Sequence, residues 1–171
     1  MSKAFTKEDD GAADDALLAH LAAARGDDEV RPITPAGAER VRAELARLRA
    51  EDEAARSAEA KGDPATHARA LAIRGLEHRL ERLQIVPPPT RERDKVQLGA
   101  SVRVRYESGR ERHIRVVGVD EVDASRGDVS YRSPMARALL GARAGETVLL
   151  ASPRGDEEIA IVDVRYEASA G

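Results

Sequence analysis

With 171 residues the chain is long enough for one ordinary domain or two small ones, and its residues are 42% hydrophobic, 35% charged and only 2% aromatic. No stretch approaches the roughly 18 unbroken apolar residues of a spanning helix, the lack of cysteine removes disulfides, thiolate chemistry and Cys-ligated zinc, and the scarcity of rings argues against an aromatic-lined pocket for a drug-sized ligand. The net charge is −3: residues 1–32 carry 4 basic and 8 acidic side chains, 33–94 carry 12 and 11, and 95–171 carry 12 of each, so neither later segment has the uncompensated basic surface of an autonomous DNA binder.

Residues 1–32 read as an acidic leader, polar and aperiodic at first, with one short helix whose apolar positions are Leu17, Leu18 and Leu21. No apolar signal segment follows Met1-Ser2-Lys3-Ala4, so the expected compartment is the cytoplasm, with no membrane contact. Ile33-Thr34-Pro35 then opens a helix, Thr34 suiting the N-cap and Pro35 the first helical position. Ala38, Val41, Leu45, Leu48 and Ala55 form a narrow apolar seam up to Gly62-Asp63-Pro64; Ile73, Leu76, Leu80 and Leu83 form a second one before Pro87-Pro88-Pro89. An antiparallel hairpin turning near residue 63 sets the two seams face to face, with Ala55 near Leu71 and Ile73. Residues 33–86 are therefore expected to form a coiled-coil finger. Within it, Glu51-Asp52-Glu53 reads as a solvated face with Asp52 near Arg69 or Arg74, and Arg42, Arg49 and Arg56 make a basic stripe stepping by seven.

Residues 87–94 read as a stiff Pro-rich linker. From 95 to 171 the period changes to two. Val102–Tyr106, Arg112–Val119, 127–132, 145–152 and Glu158–Tyr166 read as strands of a small, bent antiparallel sheet. Ser133-Pro134 opens one short helix that Gly141 closes. The fold class expected is α+β: a helical hairpin followed by an antiparallel β domain with one helix.

Four stretches resemble the Gre family of bacterial transcript-cleavage factors, the GreB type above all. They are the opening MSKAFTKEDD, the helix start Ile33-Thr34-Pro35-Ala36-Gly37, the segment Gly118-Val119-Asp120-Glu121, and Ser133–Gly141 (SPMARALLG) followed by Gly145-Glu146. The resemblance implies an FKBP-like C-terminal domain that grips RNA polymerase at its secondary channel, and a finger that enters the channel. The polymerase itself cleaves the backtracked transcript by two-metal chemistry, for which the factor contributes carboxylates to a Mg²⁺ ion. On this reading the chain is an accessory factor rather than an enzyme, a monomer whose partner is bacterial RNA polymerase. It meets nascent RNA and DNA only inside that complex, and has no cofactor of its own beyond a Mg²⁺ shared with the polymerase. Ser133, Pro134, Met135, Ala136 and Arg137 are implied to carry the polymerase contact with Asp120 and Glu121 nearby, and Arg42, Arg49 and Arg56 form a candidate RNA-facing stripe. Isomerase chemistry is not expected of a domain whose rings are only Tyr106, Tyr131 and Tyr166.

The sequence departs from the family at the fingertip. Where the family reads GD-x-S-E-N, this chain reads Gly62-Asp63-Pro64-Ala65-Thr66-His67, which keeps the acidic Asp63 and replaces the Glu by Thr66. The finger is also short of the family pattern by roughly a dozen residues, or about 10 Å of reach shared over two helices. Weak or absent stimulation of cleavage is therefore the leading expectation. Its rivals are an active factor working through Asp63 and an inhibitory competitor of true Gre factors.

Overall fold

In a computed structural model, residues 30–57, 64–153 and 155–167 are described. The leader helix and the Gly62-Asp63 turn lie outside the described residues. Thr34 begins the finger as expected: its hydroxyl accepts from the Gly37 amide at 3.0 Å and its carbonyl from the Ala38 amide at 2.9 Å. Helix α1 spans Pro35–Ser57 and α2 spans Pro64–Glu81. Cross-hairpin ion pairs from Arg49 to Glu77, at 2.6 Å, and from Arg69 to Glu51, at 4.0 Å, fix the antiparallel sense. No helix among the described residues is long and apolar enough to cross a membrane.

Burial is concentrated at the base of the hairpin, where Ile33, Ala38 and Val41 pack with Leu76, Leu80 and Leu83. Outward the seam turns polar. Asp52 is buried and pairs with Arg56 one turn along its own helix at 2.7 Å, in place of the expected partner across the hairpin. Arg69 pairs instead with Glu51, and Arg56, four residues on, lies one turn away on the same helix face as Asp52. Leu71, expected to face Ala55, stands 54% exposed.

Two short strands flank the finger. β1, Arg31–Ile33, pairs in parallel with β2, Leu83–Ile85, in the register Ile33 to Ile85. The first of them starts inside the segment read as leader. The segment read as a stiff linker is tied to the sheet domain at its far end: Arg143 bonds Asp94 at 2.9 Å and also Glu92, while Arg93 lies over the Tyr166 ring.

The C-terminal sheet comprises β3 (Ser101–Tyr106), β4 (Glu111–Val117), β5 (Asp128–Ser130), β6 (Thr147–Leu150) and β7 (Glu157–Arg165), in the order β5-β4-β3-β7-β6. One pairing corrects the expected all-antiparallel sheet, because β5 runs parallel to β4. The chain returns to the start of β4's neighbour edge through short 3-10 turns at Val119–Glu121 and Ala124–Arg126, a crossover that a hairpin cannot make. A register shift at Arg103/Val104, where β3 meets β7, bends the sheet. Helix α3, Pro134–Leu139, closes the core with Ala136 and Leu139 fully buried beside Val104, Val116 and Ile161. Tyr106, Tyr131 and Tyr166 are all buried in that core.

Leu139 is 0% exposed. Leu139→Ala is expected to cost about 2–5 kcal/mol, read as a lower urea midpoint at unchanged m-value; an unchanged midpoint would mean that α3 does not seal the core.

Candidate functional site

The expected contact ledge is built on α3. Ser133 is its N-cap, the hydroxyl accepting from the Ala136 amide at 3.1 Å, and Pro134 occupies the first helical position. After the C-cap Leu140, Gly141 takes φ 85°, a conformation that suits glycine. The ledge is uneven. Pro134 and Arg137 are exposed, Met135 is half-buried against the core, and Ala136 is at 0% exposure. A docking partner on this face therefore meets Pro134, Arg137 and the edges of Ser133 and Met135, while Ala136 is closed off beneath them.

Asp120 and Glu121 stand elsewhere in the architecture. The Glu121 side chain is 1% exposed and forms a clamp between the sheet domain and the finger. Its Oε2 accepts from the Thr34 amide at 2.9 Å and the Gly118 amide at 3.0 Å; its Oε1 accepts from the Thr34 hydroxyl, and from Arg40 Nη2 at 3.3 Å. Thr34 thus relays from Glu121 to the first turn of α1. Both glycines of the matching motifs are required sterically. A Cβ on Gly37 would fall 2.1 Å from Glu121 Oε1, and one on Gly118 would fall 2.3 Å from the Pro32 carbonyl. Asp120, with an 8% exposed side chain, holds Arg31 of β1 at 3.3 Å and Arg79 near the end of α2 at 3.4 Å. The two neighbouring carboxylates therefore take hold of both strands of chain that enter and leave the finger.

The basic stripe is neutralised within the chain. Arg42 bonds Glu39, Arg49 pairs with Glu77 at 2.6 Å, and Arg56 with Asp52 at 2.7 Å. The first two are exposed pairs on a charged helix surface, while in the third the Asp52 carboxylate is buried. Near the outer end of the finger, Thr66 has a buried hydroxyl without a hydrogen-bond partner among the described residues, and His67 is exposed. Mg²⁺ is a hard ion that takes oxygen ligands; Thr66 offers a neutral hydroxyl and no carboxylate, and Asp63 lies outside the described residues. No group of three His, Cys, Asp or Glu able to hold a metal occurs among the described residues.

Ion pairs set the protonation of several surface groups. The hydrogen-bonded Arg143 guanidinium holds the Asp94 carboxyl below its ordinary range, Arg105 does the same to Glu111, and the Ser125 hydroxyl to Asp123. A carboxyl with a lowered folded value favours the folded state above its ordinary pKa and loses that contribution as the pH falls through the lowered one.

A family profile described as "Transcription elongation factor, GreA/GreB, C-term" matches residues 90–166. Transcription elongation factor GreA of Alkalilimnicola ehrlichii is 36% identical over 153 residues, covering 79% of this chain and 97% of the relative. The chain belongs to the GreA/GreB family. Transcription elongation factor GreB of Neisseria meningitidis serogroup B is 44% identical over 95 residues, 55% of this chain, which spans 58% of that relative's length. Among solved structures, Gfh1 of Thermus thermophilus aligns at 27% identity and TM-score 0.39 over 80% of this chain and 99% of its own. A GreA/GreB factor of Nitrosomonas europaea aligns at 27% identity and TM-score 0.41 over 80% and 99%.

Thr34, Gly37, Arg40, Gly118 and the Arg31–Asp120–Arg79 triad escaped sequence reasoning as parts of one device. The signal was present in the two Gly-bearing family motifs, but nothing in either motif points at the other across 87 residues. Glu121→Ala leaves the Thr34 and Gly118 amides without their acceptor, and is expected to cost about 3 kcal/mol. Because the native chain has no cysteine, spin labels introduced at Ser57 and Ser108 report the angle between finger and sheet domain. The distance distribution is expected to broaden in Glu121→Ala; an unchanged distribution would show that Glu121 does not hold the finger.

Proposed function

We propose that this chain is a transcription elongation regulator that docks on bacterial RNA polymerase through an FKBP-like C-terminal domain and presents the finger to the secondary channel. In this reading it acts as a monomer and stimulates transcript cleavage weakly or not at all. The observation that carries the proposal is the family match over 90–166, which takes in the whole ledge from Ser133 to Arg137. The polymerase performs any cleavage, and any Mg²⁺ is the polymerase's own. Nascent RNA is met only inside the complex.

Two observations support the weak-cleavage part. Thr66 stands where the family carries a carboxylate, and its hydroxyl is buried. The Alkalilimnicola ehrlichii alignment runs over 153 positions yet takes in only 79% of these 171 residues, so this chain supplies fewer residues than its relative over the same span. A deficit placed in the finger shortens its reach, and metal coordination tolerates errors of only about 0.2 Å.

Two measurements test the reading. In a pull-down on core RNA polymerase, Pro134→Asp is expected to weaken binding at least about tenfold, equivalent to about 1.4 kcal/mol; equal binding by wild type and variant would remove the ledge from the interface. On a stalled, backtracked complex, cleavage is expected on the order of 100-fold below that driven by an active GreA, the effect of losing a ligand of a catalytic metal. An equal rate would return Asp63 to the role of a working acidic tip.

A further inference from the structure

Helix α3 covers one face of the C-terminal sheet, packing Ala136 and Leu139 with Val104, Val116 and Ile161. The residues that alternate with these along β3 and β4 point the other way. On that second face the register sets Asp128 of β5, Arg115 of β4 and Ser101 of β3 in one row, and His113 of β4 and Arg103 of β3 in the next. Adjacent strands lie about 4.8 Å apart, so one small ligand can reach across a row. Together with Arg126, from the turn before β5, these residues line a pocket of about 420 Å³, within the size range of small-molecule sites.

Two buried atoms of this pocket are left over. Asp128 is 3% exposed, and its Oδ2 has no hydrogen-bond partner among the described residues; Arg126 Nε comes only to 3.7 Å. Beside it in the register, the Arg115 side chain is 11% exposed. Its Nη2 donates to Glu167 at 3.0 Å, but its Nε is buried without a partner among the described residues. A buried carboxylate oxygen that lacks a donor, next to a buried N–H that lacks an acceptor, calls for a group that offers a proton to the first and a lone pair to the second.

The surrounding charges narrow that group to an anion. Arg103 stands 3.8 Å from Glu111 and Arg126 3.7 Å from Asp128, both beyond hydrogen-bonding distance, so both guanidinium groups have N–H donors to offer. Such forks match phosphate oxygens in geometry and charge. The Asp128 carboxylate then sets a further condition. An oxyanion with no proton meets it as a like charge, whereas one that carries an O–H donates to it. Phosphate keeps a proton at neutral pH and sulfate does not.

We propose that this open face of the sheet carries a phosphate site. Asp128 accepts the ligand's O–H, Arg115 Nε donates to a phosphate oxygen, and Arg103 and Arg126 balance the charge. The ligand is phosphate, free or esterified to a small hydroxyl-bearing group. Because the site lies on the face away from α3, its occupant leaves the Ser133–Arg137 ledge uncovered.

The test is a titration of the full-length chain followed by amide NMR shifts, with sodium phosphate or sodium sulfate at equal ionic strength and neutral pH. Phosphate is expected to give a saturable shift at Ser101, Arg115 and Asp128, and to bind at least about tenfold more tightly than sulfate. Asp128→Asn, whose amide can donate, is expected to bring sulfate level with phosphate. Arg103→Gln/Arg126→Gln changes two exposed side chains. It is expected to weaken phosphate binding at least about tenfold at an unchanged urea midpoint, which separates loss of the site from loss of the fold. Ribose 5-phosphate is the ester arm: binding tighter than that of free phosphate assigns the site to a phosphate ester, and weaker binding assigns it to the free ion. Three results would each overturn the proposal: no saturable shift with either phosphate ligand, equal affinity of the native chain for phosphate and sulfate, or an Asp128→Asn variant that still prefers phosphate. The first would mean that water alone fills the pocket.

Discussion

A single carboxylate sets the shape of this protein. Glu121 sits on a short 3-10 turn of the sheet domain, yet the groups it satisfies lie at the start of the finger: the Thr34 amide and hydroxyl, and Arg40. A carboxyl group taken this far from water is tolerated only when its lone pairs are filled, and here the Gly118 amide completes the set. The arrangement is strict. The finger helix must begin where Thr34 meets Glu121, and residues 37 and 118 must lack side chains because the carboxylate and the Pro32 carbonyl already occupy that space. The helix N-terminus adds its partial positive charge to the same carboxylate.

The finger's own packing is thin, and this gives the clamp its importance. The apolar contacts of the hairpin concentrate in the Ile33–Val41 and Leu76–Leu83 levels. Farther out, the seam contains a buried Asp52 and a Thr66 hydroxyl without a partner among the described residues. Such a hairpin gains most of its order from the end that is anchored. The parallel β1–β2 pair and the Arg31–Asp120–Arg79 triad grip that same end. The direction of the finger is therefore decided at its root.

The sheet domain solves a different problem. With no Trp and no Phe in it, its core is made of Val, Ile, Leu and Ala with three buried Tyr. Tyr166 shows how a ring with a polar end is used in so aliphatic a core: its hydroxyl accepts from the Gln97 amide at 3.0 Å and donates to the Lys95 carbonyl at 2.5 Å, stitching the end of β7 to the entry of the domain. The same entry is held by Arg143 on Asp94. The Pro-rich connection is thereby part of the domain's edge, and the finger and sheet meet without a slack hinge between them.

Local chemistry made much of this legible in the sequence by itself. Thr34-Pro35 and Ser133-Pro134 announce helix starts because a hydroxyl cap and a proline at the first position solve a purely local hydrogen-bond problem. Period-3.6 and period-2 apolar spacing separate finger from sheet because each face must be buried somewhere. The motif Ser133–Gly141 carried the family. Tertiary structure alone decided what no local rule contains. It ran β5 parallel to β4, paired β1 with β2, turned Asp52 onto Arg56, and placed Ala136 beneath the ledge it was expected to form. It also drew Asp120 and Glu121 into the root of the finger. The reason is distance along the chain: the two halves of the clamp are 87 residues apart, and a carboxylate's role depends on which amides and guanidinium groups folding brings within 3 Å of it, which spacing within either motif does not encode.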